Sequence, residues 1–169
     1  MDIRKEQADD LDKIETVIYQ AFENHPHHEA GAKPTEHLIV QKLRNDEALT
    51  LSLIACDRGV IVGHIAFSPV LINGEASNWY GLAPVSVVPE QQNLGIGSKL
   101  INEGINELQK QGAHGIVLLG EPEYYQRFGF KFCANLTLEG VPPEYFLALA
   151  METDTPIPAG SVTYHEAFI

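Results

Sequence analysis

The sequence predicts a mixed α/β domain: a mostly antiparallel sheet of about seven strands, one parallel strand pair within it, and helices on its flanks. Three observations carry this expectation. Apolar residues recur at helical spacing over Leu11, Ile14, Val17, Ile18, Ala21 and Phe22, then switch to an alternating period from Leu49. Asn73-Gly74, between two apolar runs, is a strong hairpin signal. Between residues 85 and 120 a strand, a glycine turn, a helix and a second strand follow one another, and such a crossover makes the two strands parallel.

In chain order, Asp2 to Lys5 forms a first strand, and Asp9 or Asp10 caps the helix that begins at Leu11. A polar segment, 23–34, contains His25, His27, His28 and Glu29; without a cysteine or a second cluster it reads as a solvated loop at the mouth of a site, and no metal site is expected. Thr35 opens a second helix with Leu38, Ile39 and Leu43 inward. The alternating run Leu49, Leu51, Leu53, Ala55 turns at Asp57-Arg58-Gly59 into a strand from Val60 towards Ile72, and the hairpin returns through Trp79, Tyr80, Leu82 and Val85 to Val88. Pro84 cannot donate to a ladder, so that fourth strand is expected to bulge or splay there. A helix with the stripe Ile96, Leu100, Ile101, Ile105, Leu108 ends at Gly112, and the apolar run 115–120 makes a fifth strand covered on both faces. A short helix over Pro122 to Phe128 and two closing strands, Phe146–Met151 and Val162–His165, complete the expectation.

Composition narrows the function. A chain of 169 residues suits one domain, 1–169, and buries roughly 70% of its unfolded surface. A net charge of −12 argues against nucleic acid and mildly favours a cationic substrate. No apolar stretch nears the ~20 residues of a membrane span, and Met1–Glu6 lacks the apolar core of a signal peptide. Two cysteines, Cys56 and Cys133, make no disulfide framework, and a cytoplasmic location follows.

The chemistry concentrates where the fourth strand meets the following helix, in Val87-Val88-Pro89 and Gln92-Asn93-Leu94-Gly95-Ile96-Gly97-Ser98. Amides at a helix N-terminus lack partners and carry partial positive charge, and glycine lets a phosphate approach the backbone. The loop is therefore read as the dock of a phosphorylated cofactor. It is not a dinucleotide fingerprint, because Leu100 stands where a third glycine is needed. Nor is it a Walker loop, since the order is Gly97-Ser98-Lys99.

Two elements, Gln92-x-x-Gly95-x-Gly97 and Tyr125-x-x-x-Gly129-Phe130, resemble in order and spacing those of the GNAT superfamily of N-acetyltransferases, which bind acetyl-CoA. Residues 120–130, with Gly81-Leu82-Ala83-Pro84-Val85 and Gly160-Ser161-Val162-Thr163-Tyr164, are closest to the branch called YhbS-like. The resemblance implies that the fourth and fifth strands splay apart, that Val87 and Val88 lie along the acetyl-pantetheine arm, and that Gln92, Asn93, Leu94, Gly95, Ile96, Gly97 and Ser98 hold the pyrophosphate. Gln92 stands where many members carry an arginine, so a charge-assisted phosphate contact is missing there.

The implied reaction is acetyl transfer from acetyl-CoA to a primary amine, of a small molecule or a protein, by direct attack in a ternary complex. Tyr125 occupies the position of the general acid, the Val87 amide that of the oxyanion donor. Glu121 and His64 are the candidate bases, although water alone can drain the amine proton. Trp79, Tyr80 and Phe67 either line an acceptor groove or pack between strands. Neither a membrane nor a nucleic acid is an expected partner, and the chain is expected as a monomer or homodimer. The alternative is a non-catalytic acyl-CoA-binding sensor or interaction module on the same fold.

Overall fold

Two thirteen-residue strands, β3 (Val60–Ile72) and β4 (Glu75–Val87), form the centre of the computed structural model, which describes residues 1–23, 33–152, 154 and 156–169. The Asn73-Gly74 turn joins them, both residues with positive φ. On the other side β3 pairs antiparallel with β2 (Leu51–Asp57), and β2 with β1 (Asp2–Lys5). Beyond β4 come β5 (Gly115–Leu119), the only parallel neighbour on this path, then β8 (Phe146–Ala150) and β6 (Lys131–Phe132). Two further strands, β7 (Leu136–Thr137) and β9 (Gly160–Thr163), pair with each other, and β9 also pairs with the end of β3 at Leu71 and Ile72. Among the described residues the sheet thus has nine strands, against the expected seven or so. β6 and β7, two residues each, are too short to show a period.

Among the described residues four helices flank the sheet: α1 (Leu11–Phe22), α2 (Glu36–Asn45), α3 (Ile96–Lys110) and the single turn α4 (Pro122–Tyr125), which continues as a 3-10 turn over Gln126–Phe128. α1 buries Ile14, Val17 and Ile18. In α2 the buried residues are Val40 and Leu43, while Leu38, expected inward, is half exposed. Asp10 stands at the start of α1 but makes no capping bond. Its carboxylate accepts from Arg4 at 2.7 and 3.1 Å and from the Gln7 amide, and the Arg4 bond holds it below the usual carboxylate range against the opposing effect of burial. The histidines at 25, 27 and 28 lie outside the described residues.

Phe67 and Trp79 are core residues, not groove residues, only 0% and 3% exposed. The Trp79 ring lies over Gly115, and the Tyr80 hydroxyl is turned to Asn78 Oδ1 at 2.8 Å. The Phe67 ring lies on Gly104 of α3, and Gly63 meets Ile96 and Leu100 of the same helix. These contacts fix which face of β3 and β4 looks towards α3. Among the described residues no helix is long and apolar enough to cross a membrane.

A methyl group at Gly104 would overlap the buried Phe67 ring. Helix propensity alone favours Gly104→Ala by about 1 kcal/mol. Overpacking a ring with no room to move costs about 1–3 kcal/mol and outweighs it. The variant is expected to unfold at lower urea concentration than the parent, with a net loss of up to about 2 kcal/mol after both effects; greater stability would show that the ring yields.

Candidate functional site

The parallel pairing of β4 with β5 lasts only three residues, Trp79–Gly81 against Gly115–Val117. β5 continues to Leu119 on the arm of β8, whereas β4 runs on to Val87 with no strand on that side. The divergence coincides with a bulge. Between Leu82 and Val85, β4 advances three residues while β3 advances two, and Pro84 lies in the extra stretch after a cis peptide bond with Ala83. The expected bulge at Pro84 is therefore present, and the two strands part beyond Gly81.

Strand alternation gives the open edge its chemistry. The Val88 amide donates to the Val62 carbonyl on β3 at 3.0 Å, so the amide of Val87, and that of Val85 two residues earlier, point the other way, into the gap. Val85 opposes Ile65 and Leu82 opposes Phe67, on the face towards α3, while the bulge places Ala83 on the opposite face.

A cavity of about 570 Å³ opens on the α3 side of this gap. Its walls contain seven of the nine residues expected at the cofactor: Val87, Gln92, Asn93, Gly95, Ile96, Gly97 and Ser98. Val88 and Leu94 do not line it. Val88 is buried against β3, and Leu94 is 66% exposed at the turn. Gly95 starts α3 with φ +86°, a conformation that favours glycine, and the first intrahelical bond runs from the Lys99 amide to the Gly95 carbonyl. The amides of Ile96, Gly97 and Ser98 therefore have no helical partner and face a site where a negative charge is stabilised.

Gln92 does not offer its side chain to a ligand in this arrangement; its Nε2 donates to the Val87 carbonyl at 3.0 Å, pinning the loop to the strand end. The cation comes from elsewhere. Among the described residues Arg127 is the one charged side chain lining the cavity, held by a 2.8 Å bond from Nε to the Tyr124 carbonyl and stacked 4.4 Å over the Tyr124 ring. Tyr124 itself closes the wall, its hydroxyl 3.2 Å from Ser98 Oγ. Both were missed in sequence. Their signal was spacing: Arg127 follows Tyr124 by one helical turn, which brings the two side chains together.

Tyr125 does not line that cavity and is half buried. Its ring lies on Gly120 at the end of β5 and meets Tyr124, Phe128 and Phe130 at centroid distances of 4.9, 6.3 and 6.1 Å. Burial pushes its phenol up to about 12, with a smaller contribution from Tyr124, so the hydroxyl carries its proton throughout the physiological range. Glu121 is exposed, lines neither this cavity nor the one across the gap, and contributes only its carbonyl to α4 through bonds from the Tyr124 and Tyr125 amides at 3.1 Å.

The expectation that His64 reaches the cleft is not met. It has no exposed surface and lies on β3 facing away from α3, opposite Ser86. Its Nε2 is 2.8 Å from Ser52 Oγ, which donates to Glu6 at 2.5 Å, and Glu6 in turn takes two bonds from Arg44 at 2.8 and 2.9 Å. This chain ties β3, β2, the end of β1 and α2 together. Burial raises the Glu6 carboxyl, but bonds from Arg44 and Ser52 outweigh it and hold it below its ordinary range. Burial pushes His64 down to about 4, an effect that Glu6 opposes and Arg44 reinforces. The unfolded chain binds a proton at His64 below about pH 6.5, whereas the folded chain does so only near 4, so stability falls as pH drops through that window. The loss from this group amounts to about 3 kcal/mol between pH 6.5 and 4. Urea titrations across that range are expected to show a shallower pH slope in His64→Gln than in the parent; equal slopes would mean that folding leaves proton binding at His64 unchanged.

Comparison with known proteins agrees with this architecture. Residues 2–133 match the family model described as an acetyltransferase (GNAT) domain. The uncharacterized N-acetyltransferase YhbS of Escherichia coli strain K12 is 34% identical, over 98% of this chain and 97% of its own. The uncharacterized N-acetyltransferase YjhQ of the same organism is 35% identical over 83% of this chain and 72% of its own. Among solved structures, a GNAT family acetyltransferase from Brucella melitensis in complex with acetyl-CoA is 46% identical, with a TM-score of 0.85, covering 99% of this chain and 97% of that one. The Escherichia coli YhbS structure in complex with CoA is 33% identical, with a TM-score of 0.89, covering 98% and 90%. With its family model matched over most of its length and its splayed β4/β5 pair in place, the chain belongs to the GNAT acetyltransferase family.

Proposed function

We propose that this chain, as one domain, is an acetyl-CoA-dependent N-acetyltransferase that moves the acetyl group to a primary amine by direct attack in a ternary complex. The observation that carries the reading is the open edge of β4, where the Val85 and Val87 amides point into a gap that begins where pairing with β5 stops. An extended amide-containing arm such as pantetheine satisfies such an edge as an added strand does. The unpartnered amides of Ile96, Gly97 and Ser98 suit the pyrophosphate, with Arg127 supplying the charge that Gln92 does not. Acetyl-CoA and CoA in the Brucella and Escherichia relatives support the same assignment.

In this reading the Val87 amide donates to the thioester carbonyl oxygen and stabilises the charge that builds there. Tyr125 gives its proton to the departing sulfur. Its raised pKa does not prevent this, because the burial that raises the phenol raises the basicity of a thiolate beside it as well, and the difference between the two governs the transfer. His64, sealed beneath the sheet, has no part in removing the amine proton, and the exposed site passes that proton to water.

Calorimetric titration with acetyl-CoA and an assay of CoA release test the proposal. The parent is expected to bind acetyl-CoA, and Gly97→Trp, which fills the phosphate cradle, to lose binding. Arg127→Gln is expected to weaken binding by about 5–10-fold, the loss of one charge-assisted contact at an exposed position. Tyr125→Phe is expected to lower kcat by about 10²-fold while leaving acetyl-CoA affinity within about twofold. Between about pH 6 and 10, kcat of the parent should show no descending limb from Tyr125, whose phenol ionises only near 12. Binding without CoA release with any amine would replace the enzyme by an acyl-CoA-binding module; absence of binding would remove both.

A further inference from the structure

A second cavity, of about 590 Å³, opens on the face of the sheet opposite the first. Both border the same gap, the first at Val85 and Val87, the second at Ala83 and Leu119. Ala83, turned away from Val85 by the bulge, and Leu119, the last residue of β5, stand at the inner end of the second cavity. Leu119 is 51% exposed, an unusual position for a leucine ending a central strand. Leu138, Val162, Phe168 and Ile169 supply further apolar wall. Phe168 is fixed there because its 3-10 turn, Glu166–Phe168, is tied to α2: Lys42 bridges Asp46 at 3.2 Å and Glu166 at 3.3 Å, and His165 Nε2 lies 3.4 Å from Asp46. Lys42 also supplies the cation among Asp46, His165 and Glu166, three groups otherwise close enough to share a metal ion.

Two polar features stand out against that wall. Among the described residues Glu139 is the one side chain lining the cavity that is charged at neutral pH, and it has no hydrogen bond or ion pair with any of them. Tyr164 also lines the cavity, its ring against Gly81 where the gap begins and edge-on to Phe168 at 5.2 Å, and its buried hydroxyl has no partner among the described residues. Burial raises that phenol, so it remains a donor.

We infer that this second cavity receives the acceptor, and that the acceptor is a primary amine with an apolar body, drawn in as its ammonium ion by Glu139 and seated on Leu138, Val162 and Phe168. The inference rests on the transferase reading and specifies its substrate. A carboxylate at an apolar cavity favours a cation over a neutral polar or anionic molecule of equal size, and the chain's net charge of −12 acts in the same direction. The bulge puts the two ligands on opposite faces of one gap, so nucleophile and thioester approach from opposite sides. The ammonium first releases one proton to water. The amine nitrogen then bonds to the carbonyl carbon, the carbon–sulfur bond breaks, the sulfur takes a proton from Tyr125, and the second nitrogen proton returns through water to that phenol. Overall, ammonium and acetyl-CoA yield an amide, CoA and one proton.

Calorimetry on protein saturated with CoA, and on free protein, reads the acceptor site without chemistry. The probes are 2-phenylethylamine, ethanolamine and taurine: a cation with an apolar body, a cation without one, and an amine bearing an anion. The expected result is 2-phenylethylamine binding at least about tenfold more tightly than either of the others. Glu139→Gln, a change at an exposed position, should weaken that binding about fivefold while leaving CoA affinity and Tm unchanged. Equal binding of the three amines, no binding of 2-phenylethylamine, or an unaltered affinity in Glu139→Gln overturns the inference. Failure of the donor reading shows separately, as absence of CoA binding, and the titrations on free protein then still decide the acceptor site.

Discussion

The structure depends on one unsatisfied edge. β4 is hydrogen-bonded to β3 along most of its length, yet from Leu82 onwards its other side faces no strand. A buried amide without a partner costs about 1–3 kcal/mol, so an edge of this kind persists only where water or a ligand reaches it. The bulge at Pro84 maintains the opening in two ways. Proline has no amide to offer β5, and the additional residue increases local twist so that β4 leaves the plane that β5 shares with β8. Much of what is proposed to act in this protein borders that edge: Val87, the N-terminus of α3 that follows it in the chain, and the cavities on either face.

The surroundings hold that edge in place. Phe67 on Gly104 and Gly63 against Ile96 and Leu100 press α3 onto β3, which sets the height of the Ile96–Ser98 amides above the end of β4. Gln92 fastens the intervening loop to the Val87 carbonyl. On the opposite face the buried chain from His64 through Ser52 and Glu6 to Arg44 connects β3 to α2, and α2 in turn anchors the 3-10 turn that carries Phe168. The polar groups buried under the sheet thus bear on the shape of the second cavity while taking no direct part in the proposed transfer.

Much of this was legible in the sequence because it rests on local rules. The hairpin at Asn73-Gly74, the bulge at Pro84, and the glycine turn into α3 each follow from the conformational limits of a few residues. What was not legible depended on distance in the chain. β6 and β7 are two-residue strands defined only by partners far away, at β8 and β9. His64 looked able to reach a cleft because a strand histidine carries no mark of which face it occupies; only its register with Ser86, and Ser52 across β2, show that it is interior. Asp10 has the residue type of a helix cap, but the bond from Arg4 claims it. Arg127 and Tyr124 entered the site through a helix too short to reveal its faces by periodicity. Their stacking decides which of two adjacent tyrosines meets the phosphate cradle and which lies on β5.

The central claim, that the free edge of β4 is the seat of the proposed donor, is tested most directly by residue-resolved amide hydrogen exchange with and without saturating acetyl-CoA. The Val88 amide, bonded to Val62, should be protected in both states. Those of Val85 and Val87 should exchange quickly in the free protein and become protected when acetyl-CoA is bound. Fast exchange at Val85 and Val87 in the saturated protein would contradict the account, because the ligand would then be bound without using the edge that the fold leaves open.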